Sequence, residues 1–405
     1  MASNRPPGCD ADAFKARVAA RVDAEREALL ALSGRIHAHP ELCFAEQRAA
    51  AWLAEYLEHA GLAVERGAYG VPTAFAARAG SGRPRIAVLC EYDALPGIGH
   101  ACGHNIIAAA GAGAGVALAS VIAETGGSVV VLGTPAEEGG GGKVLMAREG
   151  AFAEVDAAMM IHPASLELIS MNVLAISAIE AEYRGRAAHA AAAPFAGINA
   201  LDGLVTAYQA IAQLRQHIRP TERIHGIITD GGQKPNIVPE RAAGLFYVRA
   251  ANERRLATLR QRVEGCFHAG AQASGAELHL RQVGEDYSDM WTNAPLAAAY
   301  QANLGAVGRA VVDAPLEHIS GSTDMGNVSK LVPSIHPMVS IAPPHVALHT
   351  QEFATYAASP AGERGVLDGA KTLAMTAIDV LCAAGLLDAM RVAFAHETAA
   401  GARTS

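Results

Sequence analysis

No two cysteines in this chain follow a C-x-x-C spacing; the six stand singly at positions 9, 43, 90, 102, 266 and 382. In 405 residues without a secretory signal, that pattern predicts reduced thiols and a cytoplasmic location, not a disulfide scaffold. The start, Met1 to Asp10, is polar and Pro-rich, unlike a signal peptide. No Lys/Arg cluster stands against the formal charge of -8, which argues against a nucleic-acid partner. Internal repeats and low-complexity linkers are also missing. A membrane span is mimicked once, by the uncharged residues 106–123. Only Ile106, Ile107, Val116, Leu118, Val121 and Ile122 are large and apolar there; the rest is Ala, Gly and Ser. Such a segment reads as a helix packed tightly inside a sheet protein, with no membrane partner.

What is present fits a well-packed α/β enzyme: 51% hydrophobic residues, 18% charged and 41 glycines. The length favours two domains. Two helical patterns occupy Ala11 to Ala60, interrupted at Ala38-His39-Pro40-Glu41-Leu42. Uniformly apolar runs follow at Thr73–Ala77, Arg85–Cys90, Ser128–Gly133 and Asp156–His162, with helical segments between the later ones. Strands apolar on both faces and alternating with helices imply a mostly parallel sheet covered on each side. From Ile176 the pattern changes to β-α-β-β-α-β, ending at Glu277–Val283. That order predicts a ferredoxin-like α+β sandwich inserted at 176–287 into a domain formed by 1–175 and 288–405. The tail beyond Phe394 is expected to fray.

Chemistry collects past the carboxyl ends of the expected parallel strands. Asp93, Cys102 and His104 follow the strand ending at Cys90; Glu137 and Glu138 follow the next. His162 closes a third, and His349 lies after Met338–Ile341. Ligands of open α/β sheets bind at that edge. Each residue alone has an ordinary structural explanation: a small buried thiol, a helix-start carboxylate, a turn histidine. All of them at one edge do not. One Cys, three His and one Glu make a ligand set for two divalent ions, and one of the adjacent carboxylates Glu137 and Glu138 could ligate while the other faces a water. Gly139 to Lys143 is no phosphate loop, because Glu137 and Val144 stand where Gly and Ser or Thr are needed.

Seven segments carry a resemblance. They are His39-Pro40-Glu41-Leu42, Tyr92-Asp93-Ala94-Leu95-Pro96, His100 to Asn105, Pro135 to Gly139, Ala188 to Ala191, Pro235 to Pro239 and Thr323 to Gly326. Over about residues 25–385 the chain resembles the aminoacylase-type dinuclear metallopeptidases. Within them it is similar to the branch of aminobenzoyl-glutamate, indole-acetyl-amino-acid and β-alanyl-lysine hydrolases. The resemblance implies two divalent ions per chain, Zn2+ first, with Mn2+ or Co2+ as alternatives. It implies Cys102, His104, Glu138, His162 and His349 as metal ligands, Glu137 as base and Asp93 as a residue that orients a ligand. It further implies a lid at 176–287 that makes a homodimer and supplies His189 to the oxyanion. Asn236, Arg249 and the Gly321-Ser322-Thr323 turn would hold substrate. Some relatives ligate metal with a His where this chain has Glu91, which leaves that residue without an assigned role. The expected reaction is hydrolysis of the amide bond of a small N-acyl amino acid or dipeptide by a metal-bound water that Glu137 deprotonates. The alternatives are a non-catalytic partner subunit or binding protein on the same fold, and a thiol hydrolase using Cys102.

Overall fold

The computed structural model describes residues 9–313 and 320–403; most of the Pro-rich start, residues 1–8, lies outside them. The chain forms two units, one of residues up to Asn172 with those from Met290 onward, the other Val173–Asp289. The first half of the larger unit opens with α1 (Ala11–Ala24), α2 (Arg26–Ala38) and α3 (Gln47–His59). The single helical pattern expected ahead of Ala38 is therefore two helices, with the break at Glu25. Strands β1 (Ala63–Arg66), β2 (Phe75–Gly80) and β3 (Arg85–Cys90) follow. Next come α4 (His104–Ala119), α5 (Ile122–Thr125), β4 (Ser128–Gly133) and α6 (Gly142–Arg148). The run expected as one strand at Asp156–His162 divides into β5 (Ala157–Met159) and β6 (His162–Ala164) because the two pieces pair with different partners. A two-residue strand, β7 (Asn172–Val173), ends this half.

The smaller unit runs β8 (Ala175–Arg184), α7 (Ala200–Leu214), β9 (Arg223–Asp230), β10 (Arg241–Ala250), α8 (Glu253–Ser274) and β11 (Glu277–Gln282). Its antiparallel sheet has the order β11-β8-β10-β9, the arrangement of a ferredoxin-like sandwich. β8 alternates buried and part-buried residues along its length, so one face meets the helices and the other does not. Asn199 and Asn252 cap α7 and α8 by accepting from backbone amides. Phe246, Phe267 and Tyr183 fill the interior. β9 lies at the sheet edge, and Ile227 on it is 62% exposed.

The larger unit resumes with α9 (Ala294–Ala306), β12 (Ser320–Gly321), α10 (Met325–Ser329), β13 (Ser334–Ile335) and β14 (Met338–Ser340). Three helices close the chain: α11 (Gln351–Ala357), α12 (Pro360–Cys382) and α13 (Leu386–Arg403). The sheet order is β1-β2-β4-β3-β5-β13. β4, β3, β5 and β13 are parallel; β2 pairs antiparallel with β4, and the edge strand β1 pairs antiparallel with β2. Ile86 and Val88 of β3 enter one core with α4 and α12, while Ala87 and Leu89 enter another with Met146 of α6 and Val328 of α10. Both faces are covered, which is why these strands read as unbroken apolar runs. α4 is buried from His104 to Leu118. Its small residues permit this: a Cβ on Gly115 would lie 2.1 Å from the Val131 side chain. No single helix among the described residues is long and apolar enough to cross a membrane.

Two expectations are corrected. Cys9 and Cys382, 373 residues apart in sequence, form a disulfide, so not all six cysteines are free. α1 packs on α12 and brings the two Cα atoms within 5.5 Å, a proximity that only the tertiary fold creates. The tail does not fray at Phe394, since α13 continues to Arg403. Met390 is fully buried, the Asn293 side chain donates to its carbonyl, and Arg391 pairs with Asp156.

Candidate metal centre

The end of β3 leads into Glu91-Tyr92-Asp93, all buried. The loop returns through Cys102 to Gly103, whose φ of 77° only glycine adopts easily. A Cβ there would also press Pro163 at 2.9 Å. Gly103 therefore lets His104 begin α4 against the sheet. Beyond β4, Ala136 takes a left-handed φ of 59° just before Glu137 and Glu138, a strained state for a residue with a Cβ. Glu46 holds it there, its Oε1 accepting from the amides of Ala136 and Phe44 at 2.9 Å each. Phe44 too is left-handed, at 62°. Burial pushes the Glu46 carboxyl up to about 7.

Asp93 connects two of these loops. Its Oδ1 accepts from His104 Nδ1 at 3.0 Å and its Oδ2 from the Glu138 amide at 2.9 Å. Burial pushes the Asp93 carboxyl up, but His104 and that amide outweigh it and hold it at about 2. The bond fixes the His104 tautomer, leaving the Nε2 lone pair free to face inward. His162 repeats the device: Nδ1 donates to the Pro163 carbonyl at 2.7 Å, and Nε2 lies 3.4 Å from Cys102 Sγ. His349, with a φ of 60°, is held by its amide donating to the Ala101 carbonyl. Its Nε2 stands 3.5 Å from Glu138 Oε1.

Two sets of three donors result, Cys102 with His104 and His162, and Cys102 with Glu138 and His349. Within each set the donor atoms lie within 4.8 Å of one another, and Cys102 belongs to both. Glu91, His104 and Glu137 make a third set. His104 Nε2, Glu138 Oε1 and Glu91 Oε2 are buried and lack hydrogen-bond partners. Buried polar atoms without partners are costly, and a thiolate, imidazole and carboxylate set is what a zinc-type ion takes. The residues fit such a group. Burial pushes the Cys102 thiol well up, with the Glu138 charge adding to it. Burial likewise raises the Glu137 carboxyl, helped by Glu91 and Glu138.

The larger unit thus brings together Asp93, Cys102, His104, Glu137, Glu138, His162 and His349. It also contains Gly321, Ser322 and Thr323, which precede α10; Thr323 is buried and its hydroxyl accepts from the Met325 amide. The smaller unit places His189 and Asn236 side by side, with the Ala190 amide donating to the Asn236 carbonyl at 3.0 Å. His189 is exposed. Its Nδ1 accepts from the amides of Ala191 and Ala192 at 3.3 and 3.1 Å, which puts the proton of the neutral ring on Nε2. Arg249 lies part-buried on β10. Sequence reasoning missed Lys143, buried between Glu91 and Asp324. The available signal was a lone cation among Gly141, Gly142, Val144 and Leu145. It also missed His336, whose ring centroid is 5.3 Å from that of His162.

Residues 88–379 match peptidase family M20/M25/M40. The Xaa-Arg dipeptidase of Mus musculus is 42% identical over 398 residues, 94% of this chain and 92% of that protein. One of the subunits of the p-aminobenzoyl-glutamate hydrolase of Escherichia coli is 30% identical, over 90% of this chain and 92% of its own. The fold is shared with a dinuclear metal-binding peptidase of family M20 from Bacillus subtilis at a TM-score of 0.67 and 19% identity, covering 89% of this chain and 99% of the other.

Proposed function

The chain belongs to peptidase family M20/M25/M40, and on that premise we propose that it hydrolyses the amide bond of a small dipeptide or N-acyl amino acid. It is a metal-dependent amide hydrolase, and one observation carries the reading: Cys102 is common to two three-donor sets, with the basic Glu137 beside them. Cys102, His104, Glu138, His162 and His349 would hold two divalent ions, Zn2+ first. Such ions supply an acidified water and a polarised carbonyl. Glu137 takes the proton as the water oxygen bonds to the amide carbon. The C–N bond then breaks, and Glu137 passes that proton to the leaving amine. A substrate ending in arginine is supported by the activity for which the mouse relative is named.

The role assigned to His189 is donation of its Nε2 proton to the oxyanion. Asn236, Arg249 and the 321–323 turn are assigned to substrate binding. A homodimer through the smaller unit is supported by the unpaired edge of β9 and by exposed Ile227, Ile228, Tyr247 and Val205. The test is a hydrolysis screen of dipeptides, Xaa-Arg first, and of N-acyl amino acids on zinc-loaded protein, with and without chelator. Turnover abolished by chelation and restored by metal is expected; active protein with no divalent metal would sink the proposal. Mixing His189→Ala with Glu137→Gln chains then asks whether a partner subunit supplies the imidazole. Regained activity, absent from either parent, is the expected result.

A further inference from the structure

Lys143 is the one Lys or Arg side chain fully buried among the described residues. Its Nζ donates to Glu91 Oε1 and Asp324 Oδ1, each at 2.6 Å, and its backbone amide donates to Asp324 Oδ2 at 2.9 Å. None of the three side chains is exposed. Burial alone would push the Lys143 ammonium down, but Asp324, Glu91 and Glu137 together raise it, so it stays charged. Two carboxyl groups thus share one ammonium, a formal excess of one acidic group in the interior. A buried ion cluster of this kind rarely stabilises a fold more than apolar packing would.

That excess has a direction. With Oε1 taken by Lys143, Glu91 turns Oε2 toward His104 Nε2 at 3.4 Å. Both of those atoms are buried and lack hydrogen-bond partners. Two ligands each about 2.1 Å from one tetrahedral ion stand about 3.4 Å apart. Asp324 follows the 321–323 turn, so the same ammonium ties that turn to the start of α6, which follows the Glu137-Glu138 loop.

We propose that Lys143 is a positioning residue of the metal centre, aiming Glu91 Oε2 as a further oxygen donor to the ion held by His104. The inference rests on the dinuclear reading above. It is tested by zinc affinity, measured in competition with a chromogenic chelator, on wild type, Lys143→Met and Glu91→Gln. A core truncation remote from the site, Leu373→Ala, serves as a stability control. Both site variants should bind one of two zinc ions about 10- to 100-fold more weakly, the usual effect of disturbing ligand support. The cobalt-loaded Glu91→Gln protein should also show an altered visible spectrum. Wild-type affinity in Glu91→Gln would overturn the proposal, as would an equal loss of affinity in Leu373→Ala at matched loss of Tm. If Lys143→Met does not fold, Glu91→Gln decides alone, because it keeps an oxygen acceptor for the ammonium. Wild-type protein that binds no divalent ion would instead refute the dinuclear reading itself.

Discussion

The two units deal with charge in opposite ways. In the smaller unit, charge stays mostly at the surface, with Glu222 a buried exception: Arg281 pairs with Glu180, and Arg241 with Glu182 and Asp230, on side chains that water reaches. Its interior is aromatic and aliphatic. In the larger unit, Glu91, Asp93, His104, Lys143, His162, Asp324 and His336 are all buried at one edge of the sheet. Surface pairs contribute little and are easily made. Interior charge is costly, and it concentrates where chemistry needs an ordered electrostatic site. The larger unit therefore holds the cluster of potential metal donors, while His189, the residue of the smaller unit proposed to act on the oxyanion, sits exposed on a loop.

Substitutions can sharpen that contrast. The largest effect belongs to Glu137→Gln, expected to lower kcat by roughly 10² to 10⁴-fold with metal content intact, as read by steady-state kinetics and elemental analysis. If metal is lost instead, Glu137 is a ligand and Glu138 the base. Next is Asp93→Asn, which weakens the hold on His104 and the Glu138 amide. Metal affinity or activity should fall about 10- to 100-fold, and unchanged affinity would mean that Asp93 orients nothing.

A smaller effect concerns pH. Burial drives the His336 imidazole down to about 4, with Lys143 adding to the shift and Glu91 opposing it. The unfolded chain takes up a proton as pH falls through about 6.5, but the folded chain does not until about 4. Stability of the metal-free protein is thus lost across that window, by roughly 1–2 kcal/mol at pH 5 from this group. Denaturation of His336→Leu between pH 7 and pH 5 should show a flatter acid limb; an identical slope would discard His336 as the cause. The smallest effect is set in the other unit. Arg281→Ala, which breaks a solvent-exposed pair, should change stability by less than about 1 kcal/mol. A loss of several kcal/mol on thermal melting would erase the distinction between the units.

Much of the fold was legible because its signals are local. Ser128-Val129-Val130-Val131-Leu132 is short, β-branched and apolar throughout, as a strand buried on both faces requires, and the β-α-β-β-α-β order of the smaller unit follows from local periodicity and segment length. Breaks inside such runs were harder to see. Nothing in Asp156–His162 announces that β5 and β6 pair with different strands, because pairing partners lie far away in sequence. β1 and α11 were missed: each is short, at four and seven residues, too short for a periodic signal.

The site divides along the same line. Sequence by itself determined the donor chemistry: a thiol, imidazoles and carboxylates placed just past strand ends, where backbone direction makes side chains converge. Only the tertiary structure decided how those donors are held. That Cys102 serves two sets of donors, that Asp93 orients His104 and that Glu46 secures the left-handed Ala136 all depend on loops brought together by the sheet. Lys143 is the sharpest case. In sequence it is an ordinary lysine near the start of a helix, expected to reach water. Its burial between Glu91 and Asp324, 52 residues before it and 181 after, arises because the fold removes solvent from all three, and charge then has to be neutralised within the protein.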